Sequence, residues 1–179
     1  MAKVTDAERQ LAGFMARFTD EVAFLADAIL CEMRRLYPTA LELVYDNYNA
    51  LAIGFGPTER ASEAIFSIAL FPRWVSLFFL QAKGLPDPEK ILRGSGSVAR
   101  HIVLPSAEML HHPAVQDLMR EATVRAKVPF DSNGAHRLII KSISATQRPR
   151  QPAAKSATRA VSPEKKSMGK KAPAGAKQK

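Results

Sequence analysis

The chain has 179 residues, with 26 Lys plus Arg against 17 Asp plus Glu, and its one cysteine, Cys31, excludes a disulfide framework or thiolate metal cluster. The formal excess of nine positive charges is confined to one end. Met1 to Gln147 carries 16 basic and 16 acidic residues, whereas Arg148 to Lys179 carries ten basic residues and one acid, Glu164, which excludes a uniformly basic fold.

The start, Met-Ala-Lys-Val-Thr-Asp-Ala-Glu-Arg, has no apolar core of the kind a secretory signal needs. The most apolar stretch, Ala64 to Leu80, is broken by Pro72-Arg73 into halves far shorter than the ~20 residues that span a bilayer. The expectation is a soluble, cytoplasmic protein with no membrane partner.

Thr5 and Glu8 stand at capping-box spacing. Leu11, Phe14, Met15, Phe18, Val22, Leu25, Ile29, Met33 and Leu36 then recur at three- and four-residue steps, which predicts one long amphipathic helix over residues 5–37. Pro38 ends it. Leu41–Tyr48 and Ala50–Phe55 have strand composition on either side of an Asn-rich turn, and Thr58–Ser62 reads as a polar loop or one helical turn. Ala64–Leu70 and Trp74–Leu80 predict a tight antiparallel hairpin around Phe71-Pro72-Arg73. A short helical turn is expected at Glu89–Leu92 and a fifth strand at Val98–Leu104.

Pro113 suits the first turn of a second helix, whose buried face is Val115, Leu118, Met119, Ala122 and Ala126. Leu138–Ile143 is a candidate last strand, with nothing downstream to fold against it. From Gln147 the composition is Pro, Ala, Lys, Ser, Gln and Gly, too poor in apolar surface to offset an ordering entropy of ~1–2 kcal/mol per residue. The fold class is therefore α+β: an antiparallel sheet of about five strands, packed by a long N-terminal helix and a second helix. The division is a domain over residues 1–146 and a disordered basic tail over 147–179.

Several segments carry a family resemblance. They are Leu36-Tyr37-Pro38, the run from Glu42 to Pro57, Gly84-Leu85-Pro86-Asp87-Pro88, Leu92-Arg93-Gly94-Ser95-Gly96, and Val98-Ala99-Arg100-His101-Ile102. In order and spacing they resemble the YdhG-like domain, also called the domain of unknown function 1801 (DUF1801), over roughly residues 32–127. The resemblance implies a compact α+β domain with an antiparallel sheet and a mostly unassigned activity, one member type being described as a frataxin-like iron chaperone. Where some members carry a lysine after Gly-Ser-Gly, this chain has Ser97.

Two groups of residues are candidate ligand contacts. Gly94 and Gly96, flanked by Arg93 and Arg100, offer backbone donors and cations to an anion, although the segment lacks the Gly-Lys-Ser/Thr of a P-loop. Asp46, Asn47 and Asn49 are turn formers that, joined by Arg100 or His101, would suit a small polar ligand at a pocket mouth. His101, His111, His112 and His136 match no zinc spacing. Asp20, Glu21, Asp27 and Glu32 on the first helix are the residues an iron ridge would use, among Arg17, Arg34 and Arg35. Phe24 and Cys31, opposite the main stripe, hint at packing against the tail-proximal segment or a second copy in a homodimer; no base is placed to make Cys31 a catalytic thiol.

The tail cations include Lys155, Arg159, Lys165, Lys166, Lys170 and Lys171, spaced by Ala, Pro and Ser. They suit non-specific nucleic-acid binding through phosphates and counterion release, and the tail has no aromatic residue on which a base would stack. The leading expectation is thus a non-enzymatic binding module with a nucleic-acid tail that needs no cofactor. An iron chaperone using the acidic helix face is the alternative. A small-molecule enzyme using Asp46 with Arg100 or His101 is the third.

Overall fold

A computed structural model describes residues 4–152 of the chain. The predicted capping box is present: the Thr5 hydroxyl accepts from the Glu8 amide while the Glu8 carboxylate accepts from the Thr5 amide, starting α1 (Asp6–Met15). The long helix does not continue. It breaks at 16–19, and α2 (Asp20–Leu36) restarts with Thr19 as its own N-cap and Asp20 and Glu21 in its first turn. Those residue types favour an N-terminus over a helix interior. Phe18 lies in the break and is still buried, so the apolar stripe runs on although the helix does not.

Six strands follow in one sheet of order β5-β4-β3-β2-β1-β6. They are β1 (Leu41–Asp46), β2 (Leu51–Gly56), β3 (Phe66–Phe71), β4 (Trp74–Phe79), β5 (Arg100–Leu104) and β6 (Arg137–Ile143). The hairpin expected at Phe71-Pro72-Arg73 is there, with Phe71 paired to Trp74 across a two-residue loop. The polar stretch after β2 forms a single 3₁₀ turn at Ala61–Glu63. No helical turn forms at Glu89–Leu92; the Asp87 carboxylate instead accepts from the amides of Ile91 and Leu92, each at 3.0 Å. α3 (Pro113–Val124) begins on Pro113 and buries Val115, Leu118, Met119 and Ala122 as its spacing requires.

The architecture is α+β, with two corrections to the expected sheet. It has six strands, and the sixth pairs parallel with β1 at the sheet edge, Leu41 opposite Arg137 and Val44 opposite Ile140. The last strand needed nothing downstream, because its partner lies a hundred residues upstream. Alternation sends Val44, Ile53, Phe55, Phe66, Ile68, Leu77 and Phe79 to the face that packs with Ile29, Leu30 and Met33 of α2 and Leu118 of α3. Burying such side chains stabilises by roughly 1.5–3 kcal/mol each relative to exposure.

The chain does not leave the body at Gln147. The Ser144 amide donates to the Asp46 carbonyl and the Arg148 amide to the Tyr48 carbonyl, both at 2.9 Å, so residues 144–148 follow the β1–β2 turn. Arg150, counted by sequence among the tail cations, is buried. Among the described residues, no helix is long and apolar enough to cross a membrane.

Candidate functional site

β1 alternates Glu42, Val44 and Asp46 on its core-facing side, so two carboxylates are carried into the interior with a valine between them. Burying a charge is costly unless it is paired and hydrogen-bonded, and both are. Glu42 receives the Arg34 guanidinium from α2 in a fork, Nε at 2.6 Å and Nη2 at 2.9 Å, and His136 Nε2 at 2.7 Å. The carboxylate in turn holds the Arg34 guanidinium above its usual pKa, against the opposing effect of burial.

Asp46 is surrounded more completely. Arg17, from the break between α1 and α2, pairs with one oxygen, as does Gln147 Nε2 at 2.7 Å. Arg150 Nη2 reaches the other oxygen at 2.7 Å and the Asn47 carbonyl at 2.5 Å. The Arg150 guanidinium also lies over the Phe18 ring, 5.4 Å from its centroid. Sequence reading placed Asp46 at a pocket mouth, but it is a buried anchor for the segment that follows β6. Asn47 contributes its carbonyl to that anchor. Asn49 stays at the surface, lining a cleft with Arg148 and the tip of the β3–β4 hairpin.

The second group assembles at the opposite corner. Arg93 and His101 exchange backbone hydrogen bonds of 2.7 and 3.0 Å. Arg100 donates through Nε to the Arg93 carbonyl at 3.2 Å and through Nη2 to the Leu92 carbonyl at 2.8 Å. Its guanidinium thus braces the loop before β5. Gly94 has φ +99°, a left-handed backbone that disfavours any side chain, and a Cβ on Gly96 would lie 2.8 Å from the Ala99 carbonyl oxygen. The two glycines are explained by the path of the chain. The His101 ring stacks on Phe78 with centroids 4.9 Å apart. Partial burial, and then the nearby Arg93 and Arg100 charges, lower its pKa below the usual value.

The sheet keeps these two groups apart. Asp46 pairs in register with Leu51, Leu70, Val75 and Leu104, and Arg100 lies four strands across and four residues along from it. Strand spacing and rise put that separation on the order of 20 Å. Asp46 therefore shares no site with Arg100 or His101, and the enzyme built on that combination loses its geometry.

The acidic face of the first helices is likewise committed or dispersed. Glu32 accepts from Arg35 at 2.8 Å and meets His111 Nε2 at 3.0 Å; the Arg35 hydrogen bond is the main cause of its lowered pKa. Asp27 lines a groove between α1 and α2 with Leu11, Met15, Leu30 and the 79%-exposed Phe24. Cys31 is exposed, so neither it nor Phe24 is covered by the described tail-proximal residues. Among the described residues, no three His, Cys, Asp or Glu side chains come together as metal ligands. Lys155, Arg159, Lys165, Lys166, Lys170 and Lys171 lie outside the described residues.

Sequence reasoning missed the two buried ion clusters and the cleft. The clusters had a signal, since Glu42 and Asp46 sit two residues either side of Val44 on the face that hydrophobic neighbours assign to the core. Compared with protein-family models, curated proteins and solved structures, the chain matches none.

Proposed function

We propose that this chain is a cytoplasmic, non-enzymatic binding module of the YdhG-like kind, and that its cationic end holds nucleic acid through phosphates alone. The α+β architecture agrees with the fold that the resemblance implies. The observation that carries the binding reading is the anchoring of Gln147 and Arg150 on Asp46. It fixes the root of the cationic segment to a charge-balanced body. It also sorts the cations, because Arg150 neutralises an internal carboxylate and is withdrawn from any phosphate. From Ala153 to Lys179 there remain eight basic residues against Glu164.

Such a segment gains affinity by releasing counterions from the nucleic acid, and it distinguishes sequences poorly because it makes no directed contact with base edges. The test is anisotropy of labelled duplex DNA over a salt series, with the full chain and a chain ending at Pro152. That boundary keeps the Asp46 anchor intact. Loss of most affinity, and a flatter dependence of log K on log salt, is the expected result. Binding that survives with an unchanged slope would overturn the proposal.

A further inference from the structure

The tip of the β3–β4 hairpin and the segment that follows β6 lie at the same end of the sheet. Between them is a cleft of about 600 Å³ lined by Asn49, Phe71, Arg73, Trp74, Arg148 and neighbouring prolines. It brings two aromatic rings and two arginines together. Phe71 and Trp74 stack on each other with centroids 5.1 Å apart and planes 22° from parallel. Trp74 remains 42% exposed, an unusual amount for so large an apolar side chain in a paired strand. Two guanidinium-bearing residues flank the ring pair, and no carboxylate lines the cleft.

We propose that this cleft is a stacking site for single-stranded nucleic acid, in which a base lies against the exposed Trp74 ring and Arg73 and Arg148 take the adjoining phosphates. The inference rests on the reading of the cationic segment given above and deepens it. That segment has no aromatic residue, so by itself it offers charge without stacking. The cleft supplies stacking where the segment begins, since Gln151 and Pro152 border both. A flat aromatic face between cations is what a nucleotide strand recognises, because every base presents a π-face beside a charged phosphate. A proline-rich peptide would also use an aromatic groove, but it would leave two guanidinium groups without an anionic partner. Single strands are favoured over duplex because only unpaired bases can leave the stack to reach Trp74.

Trp74 is the one tryptophan in the chain, so its emission reports on this site directly. Titration of the full chain with an unstructured dT oligonucleotide should quench that emission, whereas duplex DNA should bind with little quenching. Trp74→Leu should weaken single-strand binding by roughly 5- to 150-fold, the range for losing one stacked base, and leave duplex binding unchanged. Arg73→Ala with Arg148→Ala should reduce both the quenching and the salt slope for the single strand. The native chain's emission decides the matter even if the Trp74 variant folds poorly. Equal binding of both nucleic acids with unchanged emission would overturn the stacking site and leave the phosphate-binding segment standing. A full-length chain with Lys165, Lys166, Lys170 and Lys171 changed to Ser addresses the other case. If it loses neither affinity nor salt slope while dT still quenches Trp74, the segment reading fails and the stacking site survives. Absence of binding to either nucleic acid would overturn both.

Discussion

Arg150 and Asp46 form an ion pair from which water is almost wholly excluded: Nη2 stands 2.7 Å from Oδ1, with the two side chains 4% and 0% exposed. Among the described residues, Nε and Nη1 of Arg150 have no hydrogen-bond partner. The arginine is held by one carboxylate, one carbonyl and the face of Phe18.

Removing the carboxylate is predicted to be the more damaging change. Asp46→Ala would strand Arg150 and Arg17 together, and breaking a buried pair in this way costs about 3–5 kcal/mol. Arg150→Ala should cost less, near the lower end of that range, because Asp46 keeps Arg17 and Gln147. Urea denaturation of both variants checks the order. An Asp46→Ala chain as stable as the parent would mean that the pair stabilises nothing.

A parallel argument applies at the other end of β1. Glu42 is fully buried and takes its fork from Arg34, which is only partly covered. Arg34→Met would keep the aliphatic stem but leave the carboxylate with His136 alone. The expected loss is about 3 kcal/mol, in the range for a buried charge deprived of its main partner. His136→Gln should cost less, about 1 kcal/mol, since the amide can still donate. The denaturation midpoints of the two variants give the comparison.

Much of the fold was legible because its signals are local. The Thr5–Glu8 box, the tight loop between Phe71 and Trp74, and Pro113 at a helix start are decided by residues within a few positions of one another. The failures came where distant partners decide. Phe18 and Val22 keep a helical spacing whether or not the helix is continuous, so periodicity hid the break that Thr19, Asp20 and Glu21 announce by their capping chemistry. β6 lacked a visible partner because parallel pairing joins segments far apart in the chain. Arg150 looks like any tail cation by composition, and only the unbalanced Asp46 on a core-facing position hinted that a cation had to return for it. The candidate site suffered in the same way, since adjacency along β1 or β5 says nothing of how many strands intervene.

Two glycines of β2 give opposite predictions. A Cβ on Gly54 would meet the Leu43 carbonyl oxygen at 3.6 Å and the Leu43 and Ala64 Cβ atoms at 3.7 Å, which is ordinary contact. On Gly56 it would lie 3.0 Å from the Ala64 Cα, where the backbone has little room to give. Gly54→Ala should stabilise the fold slightly, by less than about 1 kcal/mol, because glycine weakens a strand interior. Gly56→Ala should lose about 1–3 kcal/mol through overpacking. Thermal unfolding of the pair distinguishes the cases, and equal effects would contradict the packing described around Ala64.

His101 sets a pH dependence whose sign follows from its surroundings. Partial burial against Phe78, together with the Arg93 and Arg100 charges, disfavours the imidazolium in the folded chain. The folded pKa therefore lies below the unfolded value of about 6.5. Well above pH 6.5 both states are neutral at this residue and its contribution to stability is fully present. As pH falls below 6.5 the unfolded chain takes up the proton first, so stability declines until the folded-state value has also been passed. His101→Phe preserves a ring against Phe78 and removes the titration. The stability difference between native and variant chains should then shift in favour of the variant between pH 7.5 and about 5.5, above the range in which the carboxylates titrate. Urea midpoints measured across that interval should diverge; parallel curves would mean that the imidazole is as easily protonated in the sheet as in water.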